Sequence, residues 1–416
     1  MKICVLGLGY IGLPTAVMMA RHATVVGYDV QPNVIESLRA GTATVKEPGV
    51  GELVKEALKR GSLILSSEVP ADAQAYVICV PTPILDGRPD LSSVIHATQI
   101  TAAKLSPGDI FVIESTVPPG TMDHLVVPML RGLGVDPDLI TIAHCPERVT
   151  PGDLLKELRE NDRVIGGRNA GDAERARVLY APFCTGQILT TDNTTAELSK
   201  VIENSYRHVN IAFANELALL AEDLGVDAQE VIALANRHPR VNILQPGPGV
   251  GGHCIPVDPR FLSDMSPFRT ELIQTASRVN ERMPLVIVER IEKLSPLRAG
   301  SKIAILGATY KANVDDIRES PTMHVDAALR ERGYETSVFD PLVGRHSRVL
   351  ASSVEDAVRG ADAIVLMVGH DAFSGIDPVA VGSLLRTKLL VDTRAFFPRA
   401  AWIAAGFQAY TLGNGS

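Results

Sequence analysis

The chain of 416 residues has little cysteine, few aromatic residues and a single tryptophan. Its five cysteines are odd in number, lack framework spacing and include no CxxC pair. A disulfide scaffold is thereby excluded, and a reducing, cytoplasmic setting is expected. A zinc site is not expected either, because no two or three further Cys or His ligands stand at close spacing around any cysteine. Clustered positive charge is also missing. The formal net charge is −8 and no Lys/Arg run occurs, which argues against a nucleic-acid partner. The longest uncharged run, Ile3 to Ala20, reaches the length of a membrane helix. It contains Gly7, Gly9, Gly12 and Pro14, which break such a helix, so neither a membrane span nor a signal peptide is expected.

What remains is globular composition in a chain long enough for two or three cores. The stretch KICVLGLGYIGLPTAVMMARH reads as strand, glycine turn and helix, and ATVVGYD as the next strand, closing at Asp29. Strand candidates follow at 75–80, 109–115, 139–144 and 163–167 with helical stretches between several of them, which predicts a parallel sheet covered on both faces. From Thr194 a long helical pattern runs to a stop at Gly225, and a second helical stretch begins at 269, with Pro284 expected to kink it or to start a new helix. At 302–309 KIAILGAT echoes KICVLGLG of 2–9. The expected fold is α/β, two Rossmann-like doubly wound parallel-sheet domains joined by a helical central domain. The expected bounds are 1–193, 194–298 and 299–416.

Gly7, Gly9 and Gly12 form GxGxxG between strand and helix. Glycine permits the tight turn and the close approach of a pyrophosphate, the helix N-terminus offers free N–H groups, and Asp29 would accept ribose hydroxyls. Asp29 would repel a 2′-phosphate, so NAD is the expected cofactor. The C-terminal echo reads GATYKA and lacks the second and third glycines, so it should hold another ligand. Lys311 and Arg318 lie just past a strand's carboxyl end, where ligands of open α/β sheets sit, although a solvated surface pair explains them equally well.

The densest chemistry is GPGVGGHCIPVDP at 247–259. Cys4 and Cys79 lie in apolar strands as small hydrophobes, and Cys145 and Cys184 show no activating neighbours. Cys254 differs: a glycine-dense loop exposes backbone N–H groups that stabilise a thiolate and admits a substrate. His253 is adjacent and its side chain should diverge, so it is not assigned as a base. Lys200 and Asn204 stand four apart on a helix, hence on one face, a spacing that alone is more often surface than catalytic.

Taken in order, GLGYIGLP, ESTVPPGT (114–121), CPER (145–148), ELSKVIENSYR (197–207), the cysteine loop and KANVDDIRESP (311–321) resemble the UDP-glucose/GDP-mannose dehydrogenase family over nearly the whole chain. The resemblance implies oxidation of a UDP-sugar C6 alcohol to a uronate with two NAD, through a thioester on Cys254. It further implies that Lys200 and Asn204 stabilise the oxyanion, that Asp258 assists proton transfer or orients water, and that Glu147 with Thr116 positions the hydrolytic water. It places Tyr10, Ile11, Pro81, Thr82, Thr116 and Arg318 with the glycines and Asp29 at the cofactor. It places Glu147, Arg148, Val149, Lys200, Asn204, Gly251, Tyr310, Lys311 and Arg394 at the nucleotide sugar. His238 and Arg240 would reach the sugar of a neighbouring subunit, implying a homodimer built on the helical domain. Residues 236–259 point to UDP-N-acetyl-D-mannosamine as the sugar, with UDP-N-acetylglucosamine and UDP-glucose as alternatives, and CPERV departs at Arg148 from the PEF form of the glucose enzymes. A non-catalytic dinucleotide-binding regulator would need only Gly7 to Asp29 and would leave the Cys254 set unexplained.

Overall fold

The apolar stretch Lys2–Leu6 forms β1, and Gly7 turns the chain into helix α1 (Gly12–Met19), every residue of which is buried. The chain returns as β2 (Thr24–Tyr28), parallel to β1. The computed structural model describes residues 1–43, 45, 47–294, 297–344 and 351–415. Further strands are β3 (Leu63–Ser66), β4 (Ala75–Ile78), β5 (Ile110–Ile113), β6 (Thr141–His144), β7 (Arg163–Gly167) and β8 (Ile188–Asp192), in the sheet order β8-β7-β6-β5-β4-β1-β2-β3. Strands β4, β5 and β6 are buried at every position, because a sheet sandwiched between helices needs apolar residues on both faces.

Two strands depart from the expected parallel pattern. β7 runs antiparallel to β6, pairing Ala143 with Gly167 and His144 with Gly166, and β8 follows β7 in direction. The connection from β6 is a loop and the seven-residue helix Leu154–Glu160, and it brings the chain back to the end of the sheet it had left. The first residue of β7, Arg163, therefore stands at the carboxyl end of β6, where α/β sheets carry their chemistry.

Helix α2 (Asn193–Leu224) is followed by α3 (Ala228–Ala235), α4 (Asp258–Met265) and α5 (Glu271–Leu294). The second sheet has the strands β9 (Lys302–Leu306), β10 (Glu335–Phe339), β11 (Ala363–Leu366), β12 (Leu389–Asp392) and β13 (Gln408–Thr411), all parallel, in the order β10-β9-β11-β12-β13. The chain forms two compact units, Met1–Glu203 with Arg260–Ser266, and Asn204–Pro259 with Pro267–Ser416. In the second unit Ala218 and Ala221 of α2 and Met283, Ile287 and Ile291 of α5 share one core with Ile303 and Ile305 of β9.

Pro284 neither ends α5 nor starts a new helix, since one helix runs from Glu271 to Leu294. Proline removes the hydrogen bond to the carbonyl of Asn280. That carbonyl faces the cysteine loop instead: a Cβ placed on Gly249 would lie 3.3 Å from it and 3.4 Å from the Pro284 ring. Tertiary packing thus accommodates the break.

Candidate active site

In the first unit the glycine turn has the shape a dinucleotide requires. Gly7 has φ +91°, and a Cβ there would sit 2.3 Å from the carbonyl oxygen of Cys79; one on Gly12 would sit 1.8 Å from that of Gly7. Gly9 has nothing within 4 Å, so the space over it is open for a pyrophosphate, and the first turn of α1 carries no acidic residue to repel one. Asp29 is oriented by the backbone N–H groups of Leu8 (2.8 Å) and Gln31 (2.9 Å). The residues present therefore fit NAD. Thr82 donates its hydroxyl to the carbonyl of Thr116 at 2.7 Å, tying two expected cofactor contacts together beyond β4 and β5. Tyr10 hydrogen-bonds Glu47, which also accepts from the N–H of Gly152.

Glu147 and Lys200 are buried in the same unit. Burial pushes the Glu147 carboxyl up to about 7, with Lys200 the largest opposing influence, followed by Arg163. Arg148 is held by Glu203 of α2 at 2.6 Å and donates to the carbonyl of Asp162, while Val149 packs against the first-unit core. Glu197, one turn before Lys200, is fully buried and accepts the N–H groups of Gly120 (2.5 Å) and Met122 (2.8 Å). It fastens the end of the ESTVPPGT segment to the helix that carries Lys200.

In the second unit the cysteine loop is threaded between two expected substrate residues. A Cβ on Gly247 would lie 2.3 Å from the guanidinium of Arg394, and one on Gly252 (φ +86°) would lie 2.9 Å from the Tyr310 ring. Gly251 is confined by the carbonyl of Glu319 and by Tyr310. Of the five cysteines Cys254 is the exposed one, and its carbonyl accepts from Val257 and Asp258 at the start of α4. The Asp258 carboxylate is buried and accepts from the amide of Asn204 at 2.5 Å. Arg318 is paired with Asp316, which holds its guanidinium protonated, with a further contribution from Cys254. Lys311 is exposed. Burial lowers Arg394 to about 10, and its Nε donates to the carbonyl of Met367. His238 and Arg240 lie exposed on the turn after α3. His253 points toward Asp316, 3.9 Å away.

The C-terminal echo differs from the first turn in a telling way. Asp340, at the end of β10, is almost fully buried; it accepts the N–H groups of Ala308 (2.7 Å) and Thr309 (3.2 Å), and pairs with His370 at 3.0 Å. Asp29 also accepts backbone N–H groups of its turn, so what sets Asp340 apart is the buried imidazole of His370.

Sequence reasoning missed four residues. Asn215, fully buried on α2, accepts the N–H of Gly247 and donates to Asn280, so it anchors the entrance of the cysteine loop. Glu114 and Glu197 lay inside motifs already noted, and only burial distinguishes them. Arg163 lay in a strand candidate, and the cation at its head was the signal. Cys145, read as lacking an activating neighbour, has the Arg163 guanidinium 3.8 Å away, yet burial raises its thiol to about 12 and keeps it inert. Among the described residues no cluster of three or more His, Cys, Asp or Glu is placed to hold a metal, and no helix is long and apolar enough to cross a membrane.

A dinucleotide turn in the first unit fits an NAD-dependent dehydrogenase, and three segments of the chain match the domain models of one family. Residues 1–184 match the NAD binding domain, 194–282 the central domain and 304–399 the UDP binding domain of one family. The chain belongs to the UDP-glucose/GDP-mannose dehydrogenase family. It is 44% identical to a protein of Methanocaldococcus jannaschii named UDP-N-acetyl-D-mannosamine dehydrogenase, over 100% of this chain and 97% of that one. It is 41% identical to a Ralstonia nicotianae protein named NDP-N-acetyl-D-galactosaminuronic acid dehydrogenase, over 95% and 96%. A solved UDP-D-ManNAc dehydrogenase from Pyrococcus horikoshii superposes with a TM-score of 0.94 at 40% identity, covering both chains completely.

Proposed function

We propose that the chain oxidises the C6 alcohol of UDP-N-acetyl-D-mannosamine to the uronate in two steps, with Cys254 holding the half-oxidised sugar. The observation that carries this reading is the exposure of Cys254 alone among five cysteines, on a loop pressed between Tyr310 and Arg394. The relative from M. jannaschii and the solved P. horikoshii enzyme support the choice of sugar.

When bound, NAD supplies the hydride acceptor, one molecule for each of the two oxidations. The C6 hydroxyl gives up its proton to water with the assistance of the Asp258 carboxylate, and the Lys200 ammonium stabilises the alkoxide that precedes loss of the first hydride. The Cys254 thiolate then adds to the aldehyde carbon, giving a tetrahedral thiohemiacetal whose oxyanion faces the Lys200 ammonium and the Asn204 amide. These two residues stand one turn apart on α2 and share a face. Departure of the second hydride leaves a thioester. Glu147, near 7 and so able to exchange a proton at neutral pH, takes a proton from water that Thr116 helps to hold. The water oxygen attacks the acyl carbon, the C–S bond breaks, and the sulfur leaves as thiolate. Asp258 aligns Asn204 through their hydrogen bond. Lys311 and Arg394 hold the diphosphate and uridine, and Arg318 helps to hold the cofactor.

Apolar residues exposed along α2, among them Tyr206, Phe213, Leu220 and Leu224, support a homodimer on this helix with Arg240 reaching the partner's sugar. Five free cysteines support a reducing, cytoplasmic setting. The test is a panel of UDP-sugars incubated with NAD. UDP-N-acetylmannosamine should yield two NADH per sugar and a uronate. One NADH with an aldehyde product would refute the covalent route, and preference for an N-acetylgalactosamine, N-acetylglucosamine or glucose nucleotide would reassign the sugar.

A further inference from the structure

We propose that Arg163 and Glu114, buried behind Glu147, are positioning residues that set the pH at which Glu147 can act as a base. The inference rests on the reading of Glu147 as the hydrolytic base.

Three strand ends and one strand start meet here. Glu114 follows β5 directly, and its neighbour Ile113 pairs with His144 of β6, three residues before Glu147. β7 pairs antiparallel with β6 at Ala143–Gly167 and His144–Gly166, and the guanidinium of Arg163, at the head of β7, stands 3.8 Å from the sulfur of Cys145, two residues before Glu147. Arg163 lies against two adjoining aromatic rings, 4.8 Å from the Tyr180 centroid and 5.5 Å from that of Phe183, and donates to the carbonyl of Leu158. Glu114 accepts on one oxygen from the Cys79 thiol and the Thr15 hydroxyl, both at 3.2 Å.

Among the described residues, three buried polar atoms of this group find no hydrogen-bond partner: Glu114 Oε1, Glu147 Oε1 and Arg163 Nε. Buried polar atoms without a protein partner are uncommon in folded proteins, and these three gather beyond neighbouring strand ends. A direct ion pair with Arg163 would pin Glu147 as a carboxylate and weaken it as a base. A cation that acts through space lowers the cost of ionisation without occupying the oxygens, and in a buried site charges act strongly over several ångströms. The groups facing Glu147 are Lys200 from α2, Arg163 from β7, Glu114 from beyond β5, and the Cys79 thiol beyond β4. The two cations favour the carboxylate and Glu114 opposes it.

The test reads Glu147 itself. Infrared difference titration of the whole protein, with Glu147→Gln to identify the band, gives the pH at which the buried carboxyl ionises. Glu114→Gln should move that titration down and Arg163→Met up, each by about one pH unit. Arg163→Lys keeps the charge, loses the planar stack and should stay near wild type. A merely structural role would leave the titration of folded variants in place, and unmoved titrations in Glu114→Gln and Arg163→Lys together with an unmoved or unfolded Arg163→Met overturn the proposal. The pH profile of thioester hydrolysis should shift in parallel. If the titration moves while that profile does not, the electrostatic assignment stands and Glu147 is not the base.

Discussion

At the scale of single residues, Cys254 and Glu147 are separable by experiment because they act at different moments of the proposed reaction. Cys254→Ser should lower turnover by about three orders of magnitude while leaving NAD affinity, followed by calorimetry, unchanged. Glu147→Gln should permit both oxidations and stall afterwards. Rapid mixing should then show a burst of two NADH per site followed by a steady rate about a hundredfold or more below wild type. In wild type the hydrolytic step should fade as pH drops through about 7, because a protonated Glu147 cannot accept a second proton. Glu197 gives a prediction on stability. Burial raises it to about 7, above its ordinary 4.5, so its contribution to stability is fully present below about 4.5 and lost as pH rises through 7. The unfolding free energy of wild type relative to Glu197→Gln should therefore fall between pH 5 and 8, which chemical denaturation at several pH values would measure.

At the scale of elements, the glycine loop and α2 depend on each other. The Asn215 amide meets the N–H of Gly247 and the side chain of Asn280, both fully inside the protein. Asn215→Ala strands two polar groups and should cost about 1–3 kcal/mol of stability. It should also slow alkylation of Cys254 by iodoacetamide or make it heterogeneous, a change that mass spectrometry of the labelled peptide would follow. The strand and helix order and the glycine turn were legible because apolar periodicity and glycine placement are local signals. The reversal of β7 was not, since direction is decided by where a connection returns the chain. Of the two outcomes expected at Pro284, a new helix is not found, since α5 runs through it, and the close approach of Gly249 to the Asn280 carbonyl, distant in sequence, could not be read from the chain. Cys254 could be singled out by its loop, whereas Arg163 and Asn215 acquire meaning only through partners brought in by the fold.

At the scale of the whole molecule, two sheets of related sequence have been put to different uses, and the echo KIAILGAT was enough to reveal the repetition. A proposed dimer adds a test at this level. Arg240→Ala and Cys254→Ser, each inactive alone, should regain activity when unfolded together and refolded as mixed dimers, if Arg240 serves the neighbouring site. Should activity stay absent although mixed dimers form, Arg240 acts within its own subunit.

The pairing of Asp340 with His370 bears on how a duplicated nucleotide fold changes its guest. Restoring the missing glycines of the second turn would leave its acid engaged with four backbone amides and an imidazole. Conversion of this half into a dinucleotide receptor thus requires release of the carboxylate as well as room for the phosphates, two changes that bring no advantage singly. The imidazole of His370 thus acts as a latch that glycine substitutions alone would not open.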